Sequence, residues 1–236
     1  MKSLRLCETK KLHYGKYLYK LVLANSLNTI FRTELQKDGH LGFARKMIDR
    51  LTESYRKGEP ILEKRFRHTR EVDIEEYFDA KDIYSCLKGM TDYKVRVDPW
   101  RSLIIYSNDR DSLLKIANKI RKNNIEFWEP NPESIQFLLT KNNVIVSDVP
   151  VTFPYKITLG RSRTGNTADL ANWLKHNTDK SKVGDKALAE FERNGYCDGL
   201  YFYVRDKKVL MLVQVMIGSK IRRVDKLVYK GDLDKY

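Results

Sequence analysis

The 236-residue chain is 42% hydrophobic and 32% charged, with a formal net charge of +14. That balance excludes a disordered polymer and predicts a buried core in one large domain or two small ones. A positive excess of this size predicts a polyanionic partner, nucleic acid first and an acidic protein second.

No apolar run approaches the ~20 residues that span a bilayer, and MKSLRLCETKKLHYGK carries no apolar stretch of signal-peptide length. A cytoplasmic protein without a membrane partner is the expectation. Cys7, Cys86 and Cys197 are far apart and form no CxxC or Cys/His cluster. Neither a disulfide framework nor a zinc site is indicated, so no metal and no cofactor is expected.

Residues 1–89 read as a mainly helical, basic region. KYLYKLVLA (Lys16–Ala24) suits a strand or a helix, and KDGH (Lys37–His40) is a turn. Leu41, Ala44, Met47, Ile48, Leu51 and Tyr55 then recur at steps of three and four, which predicts an amphipathic helix ending before KGEP (Lys57–Pro60). In EKRFRHTR (Glu63–Arg70), Lys64, Arg65, Arg67 and Arg70 bracket Phe66 and His68. Cations that neutralise phosphates beside a ring that stacks on a base suit a single strand; a solvated connector is the plainer alternative. Asp73, Glu75, Glu76 and Asp79 read as a solvated carboxylate face, and a helix follows over Ala80–Leu87.

Residues 90–236 read as an α+β sheet region, although nothing linker-like marks the boundary and one domain would serve as well. YKVRV (Tyr93–Val97) and SLIIYS (Ser102–Ser107) are strands. NDRD (Asn108–Asp111) caps a helix lined by Leu113, Leu114, Ala117 and Ile120, and IEFW (Ile125–Trp128) completes a βαβ unit. SIQFLL and NVIVS flank TKNN as a hairpin.

YKITL (Tyr155–Leu159) leads into GRSRTGNT, where Gly160 and Gly165 allow close backbone approach and Asn166 or Thr167 can cap the next helix. Arg161 and Arg163 beside a helix N-terminus make a phosphate-binding arrangement. A polar turn is the alternative, since Asp169 can satisfy the helix end itself. The pattern is neither GxxxxGK[ST] nor GxGxxG, so no nucleotide cofactor is expected there.

Helices follow near Thr167–His176 and Gly184–Arg193. LYFYV (Leu200–Val204) and VLMLVQVMI (Val209–Ile217) form a second hairpin about RDKK, with Tyr201 and Tyr203 on one strand face assigned to core packing before base stacking. In SKIRRVDKLVYK (Ser219–Lys230), Lys220, Arg222, Arg223 and Lys226 can reach phosphates.

The expected architecture is α+β, a helical N-terminal region packed with a mixed sheet containing a βαβ unit and hairpins. The expected function is non-catalytic binding of RNA or single-stranded DNA through Lys64, Arg65, Phe66, Arg67, Arg70, Arg161, Arg163, Arg222 and Arg223. No helix-turn-helix, zinc-finger or basic-zipper signature exists to read a duplex groove. A structural component of a virion or another nucleoprotein assembly is the alternative. A third reading, an Mg²⁺-dependent nuclease, rests on Asp198, Asp206 and Lys208, where two carboxylates would hold the metal and the lysine would polarise the phosphate.

Overall fold

Strands form where apolar side chains fall at every second residue. Tyr19–Ala24 (β2) buries Leu21 and Leu23, Ser102–Ser107 (β6) buries Leu103 and Ile105, and Ile125–Pro130 (β7) buries Ile125 and Phe127. The structure, a computed structural model, describes residues 4–32, 41–65, 68–98, 102–121, 124–161 and 167–236, without the side chains of residues 64, 65 and 68. The chain is α+β, and it divides into two compact units, Met1–Asn131 and Pro132–Tyr236.

In the first unit, Leu4–Thr9 (β1) and Tyr93–Val97 (β5) complete a sheet of order β1-β7-β2-β6-β5. Strand β2 lies antiparallel to both β6 and β7, β5 is antiparallel to β6, and β1 is parallel to β7. The parallel strands β6 and β7 are therefore joined across β2 by helix α3 (Arg110–Lys119). The parallel strands β2 and β5 are joined across β6 by a longer crossover. That crossover holds α1 (Gly42–Arg56), the hairpin β3 (Leu62–Arg65) with β4 (His68–Glu71), and α2 (Ile74–Lys88). Two interleaved βαβ crossovers make a split βαβ arrangement.

Leu21, Leu23, Leu103, Ile105 and Phe127 share one core cluster with Ala44, Ile48 and Leu51 of α1, Tyr77, Ile83 and Leu87 of α2, and Leu113 and Ile116 of α3. Helices α2 and α3 start where acceptors cap them: Asp73 Oδ1 accepts from the Glu75 amide at 3.0 Å, and Asp109 Oδ1 from the Ser112 amide at 3.0 Å.

Residues 93–130 finish the sheet that β1 and β2 begin, so position 89–90, the boundary read from the sequence, lies between α2 and β5 inside this unit. Among the described residues, the region before it contributes four strands beside its helices.

The second unit holds α4 (Pro132–Thr140), β8 (Val144–Ser147), β9 (Tyr155–Leu159), α5 (Ala168–His176), β10 (Ser181–Val183), α6 (Asp185–Glu192), β11 (Tyr201–Val204), α7 (Lys207–Ile217) and β12 (Ile221–Tyr229). Its sheet order is β10-β11-β9-β12-β8, with β8 parallel to β12 and the other pairs antiparallel. Ile157, Leu159, Phe202 and Val204 pack with Leu170 and Leu174 of α5, Phe191 of α6, and Val213 of α7.

Both hairpins expected here are corrected. SIQFLL belongs to α4, whose first residue is Pro132, a position where the missing N–H costs nothing. VLMLVQVMI belongs to α7, with Asp206 Oδ1 accepting from the Val209 amide at 2.9 Å. Only Val209, Val213 and Ile217 of that run are buried, one residue per turn. A short apolar run fits strand or helix equally by periodicity, and the cap with one-sided burial decides it.

Candidate nucleic-acid interface

Of the cations picked out in sequence, Arg70, Arg222 and Arg223 are tied to carboxylates. Arg70, on β4, donates from Nε to Glu63 Oε2 at 3.1 Å, and its Nη2 lies 3.9 Å from Glu76 Oε2. Glu63 itself is only 5% exposed, so this pair is structural first. Lys64 and Arg65 lie on β3, but their side chains, with Phe66, Arg67 and Arg163, lie outside the described residues.

In the second unit, Arg222 pairs with Asp198 at 3.4 Å, and Arg223 Nε donates to buried Asp225 at 2.8 Å. Arg161 is exposed. The preceding Gly160 donates its amide to the Lys220 carbonyl at 2.8 Å, and a Cβ there would meet Arg222 Cβ at 3.2 Å. The β9–β12 pairing thus brings residues 160 and 222 together. The amides of Thr167 and Ala168, the start of α5, both donate to Asn194 Oδ1, at 2.6 and 3.2 Å. A side chain from beyond α6 takes the donors that a phosphate would use.

The carboxylates considered for metal chemistry have protein partners. Asp198 accepts from Arg222 and, at 3.4 Å, from the Tyr196 hydroxyl, while Asp206 caps α7. Among the described residues no group of three His, Cys, Asp or Glu is placed to hold a metal ion. Asp79 and Glu76, read as a solvated face, are engaged too: Asp79 is 1% exposed and accepts from Arg121, and Glu76 accepts from Ser26.

A different surface gathers cations and rings. With the apolar residues of β5, β6, β2 and β7 turned to the helices, the alternate residues face away. Register aligns them in a row: Lys94 opposite Tyr106, Tyr106 opposite Lys20, Lys20 opposite Trp128. A parallel row holds Arg96, Ile104, Val22, Glu126 and Arg5, with Arg5 and Glu126 paired at 3.6 Å. Lys20 Nζ sits 3.6 Å from the Trp128 ring centroid, and Lys94 Nζ 4.0 Å from that of Tyr14. No carboxylate pairs with Lys20, Lys94 or Arg96 among the described residues.

Tyr14 reaches this face from a tight turn in which it and Gly15 take φ of 55° and 68°. Its ring stands edge-on to Tyr106 at 5.0 Å, 52% exposed, while Tyr106 is covered at 6%. Burial, then the positive charges of Lys20 and Lys11, pull His13 down to about 4. Burial also lowers Lys20, against the pull of Glu126. Tyr106 is pushed up to about 12 by burial and by Tyr14. The ammonium of Lys20 is half-buried against the Trp128 ring, with burial outweighing the pull of Glu126.

These residues went unnoticed in sequence because they alternate with the core. Runs such as EKRFRHTR stand out by local density, whereas YKLVLA carries one cation and YKVRV two, set among core residues. The β11 tyrosines, assigned to core packing in sequence, are corrected: Phe202 is the residue that is fully buried, while Tyr201 is 43% exposed on the other face.

Among the described residues no helix is long and apolar enough to cross a membrane. Comparison with protein-family models, curated proteins and solved structures finds no match, so function is argued from this chain's own geometry.

Proposed function

We propose that the chain binds single-stranded nucleic acid, RNA or single-stranded DNA, without cleaving it, on the open sheet face of the first unit. The observation that carries this reading is the row Lys94–Tyr106–Lys20–Trp128, cation alternating with ring across four adjacent strands. Splayed bases stack on the exposed ring of Tyr14, which stands over buried Tyr106, and on partly exposed Trp128 for ~1–3 kcal/mol each, and the flanking ammonium groups meet the phosphates. A sheet face with projecting rings suits unstacked bases, which a duplex does not offer. The net charge of +14 supplies long-range attraction for such a strand.

A salt titration of a labelled mixed-sequence oligonucleotide tests it. Affinity falls steeply as salt rises, by ~0.7 log units per log salt for each phosphate contact on a single strand. Absence of binding at low salt defeats the reading.

A second reading, a structural component of a virion or another nucleoprotein assembly, is supported by α7. Its outward residues Met211, Val215, Leu212 and Met216 are exposed by 65%, 86%, 47% and 38%, an apolar strip of the kind that marks contact surfaces. A fixed oligomer in the absence of nucleic acid favours assembly.

A further inference from the structure

We propose that the open face of the second unit's sheet is a second platform for single-stranded nucleic acid, an inference that rests on the reading just given. Strands β9 and β11 turn Ile157, Leu159, Phe202 and Val204 into the core. The alternate residues form two rows on the opposite face. Lys182 lies opposite Tyr203, Tyr203 opposite Lys156, and Lys156 opposite Asp225. Beside them, Tyr201 lies opposite Thr158, and Thr158 opposite Arg223. Ring between cations repeats here in a different set of strands.

The side chains are arranged as a platform. The rings of Tyr201 and Tyr203 stand 5.6 Å apart at 80°, and Lys156 Nζ is 3.7 Å from the Tyr201 centroid and 6.0 Å from that of Tyr203. Asp225, 3% exposed, accepts from Arg223 Nε, so the negative charge beneath the face is already answered. Thr158 Oγ1, between Tyr201 and Arg223 in register, is a buried hydroxyl with no partner among the described residues.

A groove of about 270 Å³ adjoins the row, walled by Tyr203, Lys182, Leu227, Phe153 and Val151. It lies below the range of about 300–1,000 Å³ that encloses a whole small-molecule ligand. One base of a continuing strand suits it better than a free nucleotide. A protein partner is the weaker fit, because the centre of a protein interface is depleted in charge, whereas lysines flank Tyr203 on both sides.

Calorimetric titration of the full chain with hexauridylate and hexathymidylate at low salt tests the proposal by stoichiometry. Wild type takes up two strands per chain. The variant Tyr201→Leu with Lys156→Gln takes up one, as does Trp128→Leu with Lys94→Gln. Tyr201→Trp, which keeps a stacking surface, retains both. Tyr201 is exposed, so its variants keep their melting temperature. A single strand per wild-type chain, lost only in the Trp128 and Lys94 variant, overturns the second platform and leaves the first. A single strand lost only in the Tyr201 and Lys156 variant upholds the second and removes the first. Uptake of none overturns both.

Discussion

Lys20 and Trp128 face each other across the β2–β7 ladder, with the ammonium 3.6 Å from the centre of the indole. Trp128 Nε1 donates to Glu126 Oε2 at 3.1 Å, which holds the ring in place. A cation poised over a ring that is itself fixed and partly exposed is pre-organised for a phosphate with its base alongside. Trp128→Leu lowers affinity for a mixed single strand about thirtyfold, the middle of the stacking range. Lys20→Gln lowers it less and flattens the salt slope by ~0.7. Fluorescence anisotropy over a salt series measures both; an unchanged slope in Lys20→Gln removes that lysine from the phosphate track.

Arg70 carries stability before affinity. Its removal strands the Glu63 carboxylate, 5% exposed, without its Nε donor. Losing one partner of a buried pair costs ~3–5 kcal/mol. Because Arg70 is itself about a third exposed, Arg70→Met is expected to cost about 2 kcal/mol in urea unfolding. The double variant with Glu63→Gln regains most of that. Loss of oligonucleotide binding by Arg70→Met with its urea midpoint unmoved would reverse this assignment.

His13 makes the first unit acid-sensitive. Its folded value of about 4 lies below the ordinary 6.5, chiefly through burial. The unfolded chain therefore binds the proton more tightly, so this contribution is whole above pH 6.5 and is lost as pH falls toward 4. With a discount for partial exposure it amounts to about 2 kcal/mol. His13→Phe keeps a ring against Tyr106, 5.4 Å away in the native protein, and removes the titration. Stability of this variant, measured against wild type by urea unfolding from pH 7 to pH 4, falls less steeply. Identical curves would mean that His13 stays solvated.

Asn194 holds the start of α5 through two amide donors and the Thr167 hydroxyl, the latter at 3.0 Å. It does so from a φ of 52°, which asparagine tolerates and alanine does not favour. Asn194→Ala costs about 2 kcal/mol, combining the lost cap with backbone strain. Asn194→Gly, freed of the strain, costs about half as much, and Asn194→Asp least. Thermal unfolding ranks the three, and equal melting temperatures for Ala and Asp would show that the cap contributes nothing.

Val215, 86% exposed on α7, packs on little of its own unit. Val215→Lys leaves the melting temperature of a monomer unchanged, within about 0.5 kcal/mol. If the apolar strip joins chains, the same change dissociates them, which light scattering reads directly.

Much of the fold was legible locally. The three- and four-residue steps after Leu41 mark α1, and Asp109 announces α3. The βαβ strands alternate as written. Such signals act within a few residues, through side chains one turn or one pleat apart, so composition and spacing suffice to read them. Tertiary structure alone decided that VLMLVQVMI coils instead of pairing, that Arg70, Arg222 and Arg223 meet carboxylates, and that Lys94, Tyr106, Lys20 and Trp128 form one row. Strand register and ion pairing join residues distant in sequence, and their choice depends on which face the whole core buries.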